Sequence, residues 1–276
     1  MKKDWKLRAP RPQAALIGIC AAATVGFIIA CASKPATTPL PVSRWAAGYN
    51  YNFHPPSSRK PASVQLSIVV VQPERERDSV LVERLYQRVS RGFSRSMGVD
   101  LDKILVAKGM TALGPYVALD DVTFPDKRAA DLTLAPRVFL NTEAKFTKSY
   151  NTTYSGIGYI EKPFTMRISG WVSYEMREPL SGQKMWIKRL DLDEREVRGV
   201  EIYEAIAARK DQYGNVVEWR EGEVKLSGRE DALADALAAY YPEIMGRAWT
   251  YLDTDELLDL KVKTRDIRER IQAPLR

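Results

Sequence analysis

Two kinds of hydrophobic repeat follow one another along the chain, and they predict both strands and helices. Residues 64–71 (VQLSIVVV) form a continuous, largely β-branched run ahead of a proline, which is typical of a strand at the centre of a sheet. Apolar side chains at every second position predict a strand over 131–140, where Pro136 suggests a sheet edge or a bulge. The same alternation predicts a hairpin of two strands over 165–177 and 185–192.

Spacings of three and four residues predict the helices. Apolar residues from Val82 to Phe93 recur at these spacings after a charged turn. Ser227–Glu230 matches a capping box ahead of a second helical repeat, in which Pro242 predicts a kink. Thr254 can cap a last helix, with acidic residues in its first turn and arginines near its end, as the helix dipole favours. We therefore predict an α+β fold for residues 45–276: a single domain with a mixed or antiparallel sheet and helices packed on one face.

Two segments inside this domain show neither the strand-type nor the helix-type hydrophobic repeat. Residues 141–159 mix tyrosine with serine, asparagine, threonine and glycine, a composition found in exposed hairpin loops and also in binding loops. Both interpretations stay open for this segment. Residues 194–226 are charged and contain a turn at Tyr213–Asn215, so we predict a mobile excursion there.

The N-terminal segment has the order of a secretory signal peptide, which we place at residues 1–30. Basic residues precede an apolar run that ends at Ala30. The run Ile28–Ala30 ahead of Cys31 resembles a bacterial lipobox, which implies cleavage before Cys31 and acylation of this residue, for example with palmitate. Residues 31–44 contain three prolines and small polar side chains, and predict a flexible tether. The alternative is an uncleaved transmembrane helix over 14–32.

Charge and cysteine content narrow the functional classes. The whole chain carries a formal charge of +7, from 42 basic and 35 acidic side chains. The first thirty residues hold five of the basic side chains and one of the acidic ones, which leaves 37 against 34. We therefore expect no nucleic-acid partner. Both cysteines, Cys20 and Cys31, lie at or before the predicted cleavage point, so the folded domain has no free thiol for a disulfide, a nucleophile or a metal.

The domain contains few residue patterns of the types that catalyse reactions or bind cofactors. A Ser-His-Asp arrangement would need His54, the single histidine, which lies in a proline-flanked segment. No glycine-rich phosphate loop precedes a helix, because Gly156 and Gly158 lie among tyrosines. The acidic clusters, such as Asp191/Asp193, do not have the spacing of an EF-hand loop. We therefore expect a protein without catalytic activity, cofactor or bound metal.

Four short motifs follow one another along the chain. They are the lipobox with its tether, residues 51–55 (YNFHP) ahead of the strand that ends at Gln72–Pro73, the turn 178–182 (EPLSG), and a capped helix from Asp231 that leads into a basic tail. In this order they resemble the neuraminyllactose-binding hemagglutinin-like lipoproteins, outer-membrane and flagellar-sheath proteins of flagellated bacteria. The resemblance implies a surface lipoprotein that takes part in adhesion and binds sialylated sugars.

The resemblance also implies a ligand site after the strand that ends near Leu140. The family has a lysine- and arginine-rich heptapeptide there, whereas residues 144–150 of this chain (AKFTKSY) contain two basic residues. Lysines can neutralise a sugar carboxylate and tyrosine rings can stack on a sugar. The candidate ligand-binding residues are Lys145, Lys148, Tyr150 and Tyr154. We expect an outer-membrane, lipid-anchored adhesin at the cell surface or flagellar sheath that binds a host glycan or protein.

The alternative is a periplasm-facing structural or assembly subunit of the outer membrane or the flagellar apparatus. Its protein partner would bind either the basic C-terminal helix or the first long helix. On the first long helix four arginines fall largely on one face: Arg84, Arg88, Arg91 and Arg95. Such a stripe is either a solvated surface or a site for an acidic partner.

Overall fold

The structure, a computed structural model, describes residues 39–45, 48–56 and 63–272. The predicted signal peptide 1–30, the predicted acylation site Cys31 and most of the predicted tether 31–44 lie outside the described residues. The described part forms a single α+β domain, as predicted. Within it, no helix combines the length and the apolar character that crossing a membrane requires.

In the described ranges, eight strands and four α-helices build the domain, with short 3₁₀ turns between some of them. In chain order they are β1 (Ser67–Val71), β2 (Glu74–Arg75), α1 (Gln87–Ala107), β3 (Thr111–Tyr116), α2 (Phe124–Ala129), β4 (Leu132–Phe146), β5 (Tyr150–Tyr154), β6 (Ile157–Arg177), β7 (Lys184–Lys210), β8 (Val216–Ser227), α3 (Gly228–Tyr251) and α4 (Thr254–Gln272).

The strands form one mixed sheet in the order β3-β1-β4-β6-β7-β8, curled into a half-barrel. β1 lies between β3 and β4 and is parallel to both, which confirms the predicted central strand. β4, β6, β7 and β8 follow as antiparallel neighbours, and the β4–β6 ladder runs from Thr133 opposite Arg177 to Phe146 opposite Phe164. β2 pairs with β4, and β5 pairs with β6.

The main hydrophobic core lies between the sheet and the helices α1 and α3. Apolar residues of α1 from Val89 to Leu105 are fully buried at spacings of three and four, which places one face of this helix against the sheet. On β6, apolar residues at even-numbered positions from Met166 to Met176 are likewise inaccessible. The Tyr174 hydroxyl crosses this core and donates a hydrogen bond of 2.7 Å to a backbone carbonyl of α3. Burial of one face of each element therefore fixes their register.

A smaller cluster covers the opposite face of β1. Val69 and Val71 pack there against Val122 and Ala130, which lie in the connection that contains α2. β1 is thus buried on both faces, since α1 covers one and this connection the other. Burial on both sides is the physical reason for the unbroken apolar run that marked this strand in the sequence.

α4 is tied to one end of the sheet by charged and polar contacts. Arg268 Nε donates to the carboxylate of Glu178 at 2.9 Å, and its Nη2 donates to the carbonyl of Ala130 at 2.8 Å. On the first turn of α4, the Glu256 carboxylate accepts from Trp186 Nε1 and Lys188 Nζ, each at 2.6 Å. These contacts join α4 to β6, β7 and the start of β4.

Two local expectations are corrected. Pro136 was expected at a sheet edge or bulge, yet β4 has neighbours on both sides. The reason is local: on the side of β4 away from β6, β1 pairs up to Leu134 and β2 begins at Arg137, so neither of these two strands pairs at Pro136. Likewise Ser227 makes no side-chain cap at the start of α3. Pro242 lies inside this helix, which extends to Tyr251.

Candidate functional site

The far half of the antiparallel sheet, which we call the β-arm, comprises residues 141–163 and 200–227. Residues 141–159, expected to be a loop, form the end of β4, all of β5 and the start of β6, with β5 and β6 in register. Residues 194–226, expected to be a mobile excursion, lie mostly in β7 and β8, which pair with each other. Backbone ladder bonds hold these strands, and such bonds leave no hydrophobic repeat in the sequence where both faces meet water.

Large apolar side chains are concentrated on the β-arm. Of the seventeen large apolar side chains that are exposed in the described ranges, eight lie on the β-arm, and these are exposed by between 37% and 80%. They are Phe146, Tyr150, Ile157, Ile206, Tyr213, Val217, Trp219 and Val224. The strand register places Tyr150, Ile157 and Ile206 on one face of the β-arm, and Phe146 and Trp219 on the other. Exposed apolar residues scattered singly are normal on protein surfaces, but their density on the two faces of the β-arm makes it the candidate interaction region.

β8 forms the open edge of the β-arm, because it pairs with β7 on one side only. It is 12 residues long and contains no proline. An open edge of this length can accept another strand, and natural proteins limit such pairing with charges and bulges. β8 has both features: Glu218 and Arg220 alternate with Val217 and Trp219, and its pairing with β7 shifts register at several positions. The edge of β8 is therefore open, while its charges and register shifts limit pairing with other strands.

A buried ion pair anchors the base of the β-arm to α3. The carboxylate of Glu201 is 1% exposed, and it accepts from Arg229 Nε at 2.6 Å and from the Tyr203 hydroxyl at 2.5 Å. Burial, together with the hydrogen bond to Glu201, raises the pKa of Tyr203 to about 12. The guanidinium of Arg229 also lies 5.8 Å from the ring centre of Phe146. The base is therefore rigid while the far strands are exposed.

The structure does not bring the four predicted ligand-binding residues together. Lys145, Tyr150 and Tyr154 lie opposite Thr165, Glu161 and Ile157 of β6, so the three share one face of the sheet. The eight residues of β6 between the outermost partners correspond to about 27 Å. The fourth, Lys148, is exposed in the short connection between β4 and β5. A single sugar ring cannot span this distance.

Two of the predicted residues already have partners within the β-arm. Lys145 Nζ lies 3.4 Å from the carboxylate of Glu143 in an exposed ion pair. The hydroxyl of Tyr154 donates to Glu161, and its ring packs on Tyr159 with centroids 5.6 Å apart. Burial and the hydrogen bond to Glu161 raise the pKa of Tyr154 to about 12. The contacts of Tyr154 give that side chain a structural role in the β5–β6 hairpin, whereas the ion pair of Lys145 lies at the surface.

Residues considered for catalysis or metal binding are dispersed. His54 is exposed in the N-terminal segment. In the residues that the structure describes, no three side chains of the metal-ligating types come close enough to hold a metal ion. Of the four arginines expected on the first long helix, Arg84 lies in a 3₁₀ turn ahead of α1. The other three, Arg88, Arg91 and Arg95, line one groove with residues 48–50.

Sequence reasoning missed the residues that now define the β-arm surface, above all Ile206 and Trp219. A signal was present, because Val217 and Trp219 alternate with charged residues in a stretch that we interpreted as an irregular excursion. Period-two alternation inside a charged segment is typical of an edge strand with few apolar positions.

Comparison of the chain with known proteins finds distant similarities to solved structures only. No family model matches it, and no curated protein matches it. Among solved structures, the chain is similar to a neuraminyllactose-binding hemagglutinin homolog from Helicobacter pylori, with 14% identity, 76% of this chain and 97% of that chain covered, and a TM-score of 0.49. A PelC dodecamer from Paraburkholderia phytofirmans aligns at 12% identity, with coverage of 66% and 91% and a TM-score of 0.23. Lipoprotein GNA1162 from Neisseria meningitidis aligns at 13% identity, with coverage of 64% and 97% and a TM-score of 0.23. At these values the likenesses establish no family for this chain.

Proposed function

We propose that this chain is a lipid-anchored outer-membrane protein, exposed at the cell surface or on a flagellar sheath, that binds a protein partner through its β-arm and performs no catalysis. The observation that carries the proposal is the set of exposed apolar side chains on the β-arm. Aromatic residues are enriched at the centre of protein interfaces, which a polar rim surrounds.

A protein partner fits the β-arm better than a sugar. The exposed residues spread along several strands, and the predicted lysines and tyrosines are separated rather than gathered around one cavity. Specific protein interfaces bury about 800 Å² on each partner, which requires an extended surface of this kind. A sugar site instead needs a few polar groups that converge on one ligand.

Membrane attachment rests on the N-terminal segment. Cys31 follows a signal-like apolar run, and acyl chains on that residue would hold the domain at the membrane. By resemblance to sorted lipoproteins, Ala32 rather than aspartate after the acylated cysteine favours the outer membrane. The intact mass of the membrane-extracted protein, compared with that of Cys31→Ser, tests this step. A full-length mass that includes Met1 would replace the lipid anchor with a transmembrane one.

The β-arm is tested by adherence of bacteria that display the protein. One variant replaces three exposed arm residues, Tyr150→Ser, Ile206→Ser and Trp219→Ser. Its matched control replaces three exposed apolar residues elsewhere, which are 50% to 57% accessible: Val106→Ser, Ile187→Ser and Val262→Ser. We expect the arm variant to lose adherence at unchanged surface level, whereas the control keeps it. Equal adherence of the two variants would overturn the proposal.

The glycan hypothesis has its own test. If sialylated sugars bind, Lys145→Ala with Lys148→Ala lowers the signal on a glycan array. An array on which the double variant and the unaltered protein give the same pattern would show that the two lysines have no role in sugar binding.

Protease added to whole cells distinguishes a surface adhesin from a periplasm-facing assembly subunit, because only a surface-exposed β-arm is cleaved without permeabilisation.

A further inference from the structure

A groove of about 550 Å³ runs along the first half of α1, beside the N-terminal segment that precedes β1. Its lining contains three arginines and no acidic residue. The arginines, Arg88, Arg91 and Arg95, are spaced by three and four residues, so they project from one side of α1 and are exposed. Residues 48–50 form the opposite wall. The groove therefore concentrates positive charge in a concave surface.

These arginines lack carboxylate partners among the residues that the structure describes. Arg91 donates to the amide oxygen of Gln87 at 3.2 Å, and the guanidinium of Arg88 lies 5.8 Å from the ring centre of Tyr49. Neither contact neutralises charge. Elsewhere in the domain arginines do pair with acids, as Arg137 does with Glu76 at 3.0 Å. Three unneutralised guanidinium groups in one groove favour an anionic ligand with several oxygen acceptors.

Close packing fixes the shape of the groove. A Cβ atom at Gly92 would lie 2.5 Å from the backbone oxygen of Tyr49, so only glycine lets the N-terminal segment approach α1 this closely. Ser96 then joins the two walls: its hydroxyl accepts from the Tyr51 N–H at 3.1 Å and donates to the Asn50 side chain at 3.3 Å. The arginines therefore stand around a preformed concavity.

The groove also lies near the point where the chain leaves the domain toward its predicted anchor. The N-terminal segment is held to α3 from Ser43 onward, where the Ser43 hydroxyl donates to Asp231 at 2.6 Å and Trp45 Nε1 donates to Asp235 at 3.2 Å. Eleven residues lie between Cys31 and Ser43, so twelve residue-to-residue steps connect the two. They reach about 20 Å as a flexible chain and about 37 Å if fully extended in polyproline conformation. The lipid surface is thus within reach of the groove.

We propose that the groove formed by Arg88, Arg91 and Arg95 binds phosphate groups of the lipid surface that carries the protein. This inference rests on the lipid anchor of the proposed function, but it does not depend on the β-arm. Each arginine near an anionic leaflet contributes about a fivefold gain in local affinity. The contact would dock the first half of α1 on the membrane and set the orientation of the whole domain.

The test uses the purified lipid-anchored protein in vesicles of phosphatidylcholine with and without phosphatidylglycerol. Phenylglyoxal modifies accessible arginines, and mass spectrometry gives the rate for each. We expect phosphatidylglycerol to slow modification of the three groove arginines several-fold, with recovery in high salt. Arg209 and Arg265, with side chains 70% and 71% accessible, serve as controls and should not change.

Three results would overturn the proposal. One is an unchanged rate at the groove arginines, and another is equal slowing at Arg209 and Arg265, which would indicate general attraction of the domain. The third is the same protection by inorganic phosphate on phosphatidylcholine vesicles, which would indicate a site for free anions. Arg91→Gln should weaken the protection of the two remaining groove arginines about fivefold, whereas Arg209→Gln should leave it unchanged. Adherence does not enter this experiment, so a failure of the groove and a failure of the β-arm are distinguishable.

Discussion

β6 passes through two regions of the domain that differ in what covers them. From Phe164 to Met176, its even-numbered apolar residues lie under α1 and α3 and are inaccessible to water. Before Phe164 the same strand belongs to the β-arm, where Ile157 is 54% exposed. The strand keeps its pairing with β7 through both regions. Tyr159 and Ile160 are buried before Phe164 as well, outside the core cluster under the helices. Cover by neighbouring elements, and not strand pairing itself, therefore decides which apolar side chains stabilise the fold and which remain free to bind.

Because of this difference, we expect the covered half of the sheet to determine the stability of the fold and the β-arm to provide binding. The covered half supplies the burial on which the folded state depends. The β-arm is held by backbone ladders, by its buried anchor at Glu201 and by a few inaccessible side chains such as Ile202, so its exposed apolar side chains contribute little to folding. Substitutions in the two regions should consequently separate stability from binding.

The largest expected effect comes from a matched pair of phenylalanines. Phe93 is fully buried in α1 between the rings of Tyr51 and Tyr241, whereas Phe146 on the β-arm is 45% exposed. Phe93→Ala should lower the free energy of unfolding by about 3–5 kcal/mol, because it opens a cavity. Phe146→Ala should lower it by about 1 kcal/mol or less. Urea denaturation measures both, and equal losses would abolish the distinction between the regions.

An intermediate effect is expected at the end of the covered half, at Glu178. Its side chain is fully inaccessible. Burial acts to raise the pKa of Glu178, but hydrogen bonds from Ser181 and Arg268 outweigh it, so this pKa lies below the ordinary value. A lowered pKa in the folded state stabilises the protein at neutral pH, and that stabilisation is lost as pH falls from about 4.5 through the folded-state pKa.

Glu178→Gln tests this expectation. At pH 7 the variant should unfold about 1–3 kcal/mol more easily, since it loses a charged hydrogen bond to Arg268. The gap between variant and unaltered protein should close as pH is lowered below about 4.5. A gap that stays constant down to pH 3 would mean that the ionisation of Glu178 does not differ between the folded and unfolded states.

The smallest effect is expected for Lys145→Ala combined with Lys148→Ala. Both lysines are exposed. Lys145 forms an ion pair with Glu143 that also lies at the surface. Exposed pairs contribute about 0–1 kcal/mol, so the midpoint of thermal unfolding should hardly move. A large loss of stability would show that the β-arm depends on these side chains for its fold.

The accuracy of the sequence predictions follows the same division. The β-branched run at Ser67–Val71 and the repeat in α1 were recognisable because each element buries a defined face. β5 and β8 were not recognisable as strands, since their stability comes from backbone pairing that leaves a weak side-chain pattern. The interior position of Pro136 depends on a gap between β1 and β2 that no local pattern records.

For the candidate site, residue types were predictable and their grouping was not. The sequence singled out lysines and tyrosines in 141–159, but pairing with β6 spreads them along the sheet. The arginine stripe of α1 was visible from its spacing, whereas the groove depends on the distant segment 48–50 packing at Gly92. Contacts between residues far apart in the chain decide which chemical groups share a site.

The most direct test of the β-arm as the binding surface is photo-crosslinking in living cells. A photoreactive amino acid replaces Trp219 on the β-arm in one strain and Val262 on α4 in another, both exposed positions. The account predicts a discrete protein adduct from position 219 that is absent from position 262. Adducts from position 262 alone, or identical adducts from both positions, would contradict the assignment of binding to the β-arm.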